Sequence, residues 1–111
     1  MPALHMSAFA EFEPLDEFTP SAVVAACFEQ GEQAVLIDRD ALPTAFFDLR
    51  TGVAGELTQR LTLYGVRLAC VVPDLPAQSE RFQEFAREAN RGRSFRFFAS
   101  QADAVAWLEA E

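Results

Sequence analysis

The period of the hydrophobic positions changes several times along the chain, and each change marks an element. In SAFAEF, residues 7–12, Ala8, Ala10 and Phe12 alternate with Phe9 and Glu11, which predicts a short first strand. Thr19 and Pro20 then offer an N-cap and a proline at the first helical position, and AVVAACF runs on until Gly31 stops it. That helix is apolar nearly all round, so it is either deeply packed or part of an interface. QAVLID, residues 33–38, is a continuous apolar run bounded by Gly31 and by charge, as a buried strand is. From Arg39 to Arg50 no period is visible, and a connection of about twelve residues is long for a compact domain.

Beyond this loop the periods are clearer. Val53, Leu57, Leu61 and Tyr64 share one helical face within residues 51–64, which ends at Gly65. VRLACVVP, residues 66–73, is a β-branched strand stopped by Pro73. Ser79 caps a helix with Phe82, Phe85, Ala86 and Ala89 in one stripe, ended by Asn90 and Gly92. SFRFFA, residues 94–99, is a strand. Ser100 caps a last helix in which Asp103 favours the dipole and Val105, Trp107 and Leu108 face inward. The order is therefore βαβαβαβα: an α/β fold with about four helices and a mostly parallel four-stranded sheet joined by right-handed crossovers. In such a sheet the loops after the strands gather at the carboxyl edge, where open α/β proteins usually bind ligands.

With 111 residues the chain is expected to form a single domain over its whole length, 1–111. Half of it is hydrophobic and Phe occurs eleven times, so a dense core and surplus apolar surface are expected. A net charge of −8 opposes nucleic acid and anionic membrane surfaces as partners. Residues 1–48 carry nine acidic groups against Arg39 alone, while the remainder is balanced. All nine basic residues are arginines, which removes Schiff-base chemistry, pyridoxal phosphate attachment and a Walker phosphate loop. His5 is the single histidine, which leaves no His-based triad or multi-His metal site. Cys27 and Cys70 read as two buried small hydrophobes or as a disulfide, depending on a distance that spacing does not give. Neither a leader nor a membrane span is visible, so the cytoplasm is the expected location, and no cofactor is expected.

The most unusual segment is AFFDLRTGVAGELTQRL, residues 45–61, which opens a helix with Gly52 and Gly55. Glycine costs helix stability, so a close backbone, a neighbouring helix or an anionic ligand is expected at this helix start. Arg50 would add a fork of donors for an anion, with Asp48 or Thr51 as the N-cap in the structural alternative. Asp38, Asp48 and Asp74 are weak candidates for a hard cation if the strand ends bring them together, and otherwise serve as turn residues. Adjacent Phe46 and Phe47 place one ring outward for a partner or bury both under the loop. Arg87, Arg91, Arg93 and Arg96 cluster near the end of the third helix, as an acid-binding patch or as cations that favour a helix C-terminus.

FFDLRTGVAGELTQR, the strand RLACVV, FAREANRG and the final ADAVAWL together resemble the bacterial family of domains of unknown function 4180, over roughly Thr19 to Leu108. The resemblance implies a fold and assigns no catalytic residue. A looser similarity is to the anti-sigma-factor antagonist (STAS) domains, in which a strand leads through an Asp-Ser-Ser-Gly turn into a helix. Asp48 to Val53 follow that order, with Thr51-Gly52 in the place of a phosphorylatable Ser-Gly, one residue extra after the Asp, and Leu49 and Arg50 replacing serines. The implied architecture is STAS-like, with Thr51 as a possible phosphoacceptor.

Two functions fit. The first is a non-catalytic interaction or regulatory domain that presents Phe46, Phe47, Asp48, Arg50, Thr51, Gly52, Gly55 and Glu56 to a protein partner or to a second copy in a homodimer. The second is a small-ligand or anion-binding domain, or a metal-dependent enzyme, at the carboxyl edge of the sheet. The lack of an evident nucleophile, base or lysine favours the first.

Overall fold

A computed structural model of the chain describes residues 9–12 and 17–110. His5 and the first two residues of the predicted opening strand, Ser7 and Ala8, lie outside them. The strands are β1 (Ala10–Glu11), β2 (Ala34–Ile37), β3 (Arg67–Val71) and β4 (Phe95–Phe98). The helices are α1 (Pro20–Gln30), α2 (Thr44–Phe47), α3 (Val53–Leu63), α4 (Glu80–Asn90) and α5 (Gln101–Glu109).

The caps read from the sequence form as physical chemistry requires. Thr19 accepts a hydrogen bond from the Ala22 N–H at 3.0 Å, Ser79 from Phe82 at 3.1 Å and Ser100 from Asp103 at 3.2 Å. Gly31 ends α1 in the left-handed region, φ 70°, with its N–H on the carbonyls of Cys27 and Phe28. All four strands are parallel and stand in the order β1-β2-β3-β4. Right-handed crossovers that always step in one direction place their helices on one face. Accordingly α1, α3 and α4 pack with Phe12, Val35, Ile37, Leu68, Cys70, Phe95 and Phe97 in one core. The other face holds a smaller cluster in which α5 brings Ala104 and Leu108 against Leu36, Ala69 and Val71. β2, buried along its whole length, lies between the two layers.

Both edges of the sheet are closed by an amide side chain that imitates a strand. Gln30 accepts from the Glu11 N–H at 3.2 Å and donates to the Glu11 carbonyl at 3.0 Å. On the opposite edge Asn90 accepts from the Phe97 N–H at 2.7 Å and donates to its carbonyl at 3.4 Å. These ties blunt edges that otherwise offer free ladder groups to another chain. Asn90 thus does more than end a helix.

Two expectations change. The stretch 39–50 is a succession of short turns, a 3-10 turn at Arg39–Ala41, then α2, then a 3-10 turn at Leu49–Thr51, which makes the α-helices five. Three or four residues are too few to show a period. Tyr64 leaves the buried face of α3: Ala54, Leu57 and Leu61 point inward, whereas Tyr64 is the C-cap, past the last turn, and is 48% exposed. Both cysteines are free and buried, so the disulfide alternative falls away. No helix among the described residues is long and apolar enough to cross a membrane.

Candidate functional site

The loops after β2 and β3 meet at the carboxyl edge. Between them runs a groove of about 620 Å³ with Phe47, Leu49 and Arg50 on one wall and Gln78, Ser79 and Arg81 on the other. Because the strand order never reverses, the groove is not the switch-point crevice in which doubly wound sheets hold ligands. It is a gap between two loops on adjacent strands.

Phe46 anchors this region. It is fully buried, and its ring lies 5.9 Å from Phe18, 5.2 Å from Phe47, 5.6 Å from Phe82 and 6.2 Å from Phe97. Phe47 is half-buried, with the Arg39 guanidinium 4.5 Å above its ring. Neither phenylalanine stands free of the loop: Phe46 belongs to the core, and Phe47 offers the groove an edge shared with Arg39.

The charged groups here are committed to one another. Arg39 donates from Nε to Asp74 at 3.0 Å, and Asp74 also accepts from Gln78 at 3.2 Å. The Arg39 hydrogen bond holds the Asp74 carboxyl below its ordinary value. Asp48 caps the turn that follows it, accepting from the Arg50 backbone N–H, and binds the Arg50 guanidinium through both oxygens at 3.0 Å. These bonds lower the Asp48 carboxyl in turn. Asp38 is exposed. Among the described residues no three His, Cys, Asp or Glu side chains come together as metal ligands do. Glu56 pairs with Arg60 at 3.2 Å, and Arg60 reaches Ser21 of α1 at 2.7 Å, so Glu56 helps lock α3 to α1.

Thr51 and the two glycines also have defined roles. The Thr51 hydroxyl lies 2.7 Å from the Ala45 carbonyl and 2.8 Å from that of Asp48, and it accepts from the Val53 N–H at 3.2 Å. Esterifying that oxygen removes the proton it donates and loosens the turn. Gly52 has φ 80°, a conformation that links the 3-10 turn to α3 and that L side chains avoid. Gly55 is different: no heavy atom lies within 4 Å of where a Cβ would stand, so close packing does not account for it. Burial and Glu32 push the Cys27 thiol up to about 11, and burial raises Cys70 further, so both stay protonated and apolar in character.

At the opposite, amino end lie groups that the sequence did not bring together. Phe28, 63% exposed at the end of α1, meets Tyr64 edge-on at 5.5 Å, and Leu63 beside it is 77% exposed. Periodicity hid this patch, because Tyr64 continues the buried spacing of α3. Only the all-round apolar character of α1 signalled it.

Comparison with curated proteins and with solved structures finds no match, anti-sigma-factor antagonist domains included. The family described as Domain of unknown function (DUF4180) matches residues 16–108, and the chain belongs to that family.

Proposed function

We propose that the domain acts without chemistry of its own, by binding a protein chain through its amino end, and that this chain is a second copy of itself. The observation that carries the reading is the patch of Phe28, Leu63 and Tyr64, the large hydrophobics exposed among the described residues. The rings of Phe28 and Tyr64 meet across the ends of α1 and α3, with Leu63 next to Tyr64 in the chain, and exposed apolar groups of this kind suit an interface centre. A two-fold contact sets the same patch on both sides and so covers it twice over. Gln30 and Asn90 occupy the sheet edges, which favours a helix-mediated contact over strand pairing. At the carboxyl edge, the Arg39–Asp74 and Asp48–Arg50 pairs satisfy the groups that catalysis would need free.

Sedimentation of the wild type and of Leu63→Glu tests this. The expected result is a concentration-dependent dimer for the wild type, strengthened by salt because two copies of charge −8 repel, and for the variant a monomer that melts where the dilute, monomeric wild type does. A wild type that stays monomeric at the highest concentration reached overturns it.

The carboxyl-edge groove favours a second reading, a small anion beside Arg50, Arg81 and the start of α4. Its test is thermal stabilisation by phosphate that is lost in Arg81→Ala.

A further inference from the structure

Five arginines form no ion pair among the described residues: Arg67, Arg81, Arg87, Arg93 and Arg96. Three of them line one cavity of about 390 Å³ together with Trp107. Arg67 opens β3, Arg96 is the second residue of β4, Arg93 lies in the turn just before it, and Trp107 comes from the last turns of α5. The guanidinium carbons of Arg67 and Arg96 stand 4.9 and 5.4 Å from the centre of the indole ring. Arg67 donates to the Leu108 carbonyl and Arg96 to the Gly92 carbonyl, each at 2.8 Å.

A guanidinium carries five N–H donors, so the one bond apiece from Arg67 and Arg96 leaves most of the donors around this cavity without an acceptor among the described residues. The indole face attracts two of the cations but does not neutralise them. The chain has seventeen acidic residues against nine arginines, and yet among the described residues no carboxylate lines this gathering of positive charge. Two of the three cations, Arg67 and Arg96, are also held in place before any ligand arrives, by the ring and by the two carbonyls, which lowers the entropic cost of binding.

We propose that the cavity formed by Arg67, Arg93, Arg96 and Trp107 binds a small anion bearing a phosphate or diphosphate group. Three guanidiniums call for more than one negative charge, and their planar forks match phosphate oxygens. A carboxylate supplies a single charge. Since Arg67 and Arg96 already cover the indole, the ring serves as a floor that orders them and not as a platform for a base. The volume is near the lower end for ligand sites, which suits a diphosphate better than an extended molecule. The free ion and the diphosphate of a larger molecule present the same chemistry to this cavity.

Trp107 is the single tryptophan, so its emission reports on the cavity directly. Pyrophosphate is expected to change that emission saturably, while sodium chloride at equal ionic strength does not. Arg93→Ala and Arg96→Gln should each weaken the apparent affinity by at least about tenfold. Arg87→Ala, which removes the same charge from an exposed position of α4 outside the lining of the cavity, should leave it unchanged. Arg93 is exposed and makes no hydrogen bond among the described residues, so its replacement tests binding without threatening the fold. A parallel titration with adenosine diphosphate separates the two sources: equal affinity assigns the site to the diphosphate alone, and tighter affinity adds an organic portion. A response that does not saturate, that chloride reproduces, or that survives both variants overturns the proposal.

Discussion

At the carboxyl end of the sheet arginines are held by carboxylates: Arg39 by Asp74 and Arg50 by Asp48. At the amino end Arg91 has Glu88, but Arg67 and Arg96 rest on carbonyls, those of Leu108 and Gly92, and on the face of Trp107. Parallel topology accounts for the difference. Every crossover helix starts at the carboxyl edge and ends at the amino edge, so N–H ends gather at one side and C=O ends at the other. The helix dipoles then attract acids to the first side and bases to the second. α3 and α4 follow that sorting fully, with Glu56 and Glu80 in their first turns and Arg60 and Arg87 in their last; α5 follows it at its start, through Asp103, and α1 at neither end. A carbonyl takes one donor and cancels no charge. The arginines around Trp107 therefore keep their positive charge, and the same end of the molecule keeps the exposed Phe28, Leu63 and Tyr64.

The sharpest way to break the comparison is to remove one phenylalanine from each end. Phe46→Ala should destabilise the protein by about 3–5 kcal/mol, because the ring is fully enclosed at the base of the 44–51 segment. Phe28→Ala should cost no more than about 1 kcal/mol, the worth of its edge-on contact with Tyr64. Urea unfolding of the two variants decides the matter. An equal loss would show that the amino end is core and not free surface.

A smaller effect separates the two glycines at the start of α3. Gly52→Ala forces a side chain into φ 80° and should cost about 1–2 kcal/mol. Gly55→Ala meets open space at ordinary helical geometry and should gain up to about 1 kcal/mol. Melting temperatures should therefore move in opposite directions. A lower melting temperature for Gly55→Ala would mean that the space beside it is not open to a methyl group.

The smallest effect is that of pH. The Asp74 carboxyl is depressed below 3.8 by Arg39, so its tie is fully present above the unfolded-state value and is lost as pH falls through the lower folded-state value. Stability should fall in that acid range, and Asp74→Asn should flatten the decline. Arg93→Ala, at the other end, should leave the acid limb as it is. A thermal melt series taken down through the carboxylate range checks both.

Much of the fold is legible in the residues because it is governed locally. Thr19-Pro20, Ser79 and Ser100 satisfy helix N–H groups within three positions, and the apolar runs of β2 and β3 need only a sheet around them. The 39–50 segment was opaque for the opposite reason. Its turns are three or four residues long, and what fixes them is distant: Asp74 for Arg39, and Phe18, Phe82 and Phe97 for Phe46. At the candidate sites, proximity in sequence grouped Arg87, Arg91, Arg93 and Arg96, whereas the cavity takes Arg93 and Arg96, adds Arg67 and Trp107, and leaves Arg91 to Glu88. Likewise Asp38, Asp48 and Asp74 share an edge without sharing a neighbour.

The sequence by itself determined the element order, the caps, the parallel character of the sheet and the charge of the whole, since each depends on spacing, on near neighbours or on composition. Tertiary structure alone decided the strand order, the closing of the edges by Gln30 and Asn90, the release of Tyr64 from the buried face, and the meeting of Arg67, Arg93 and Arg96 around Trp107. Those depend on contacts between elements far apart in the chain, and no local period encodes them.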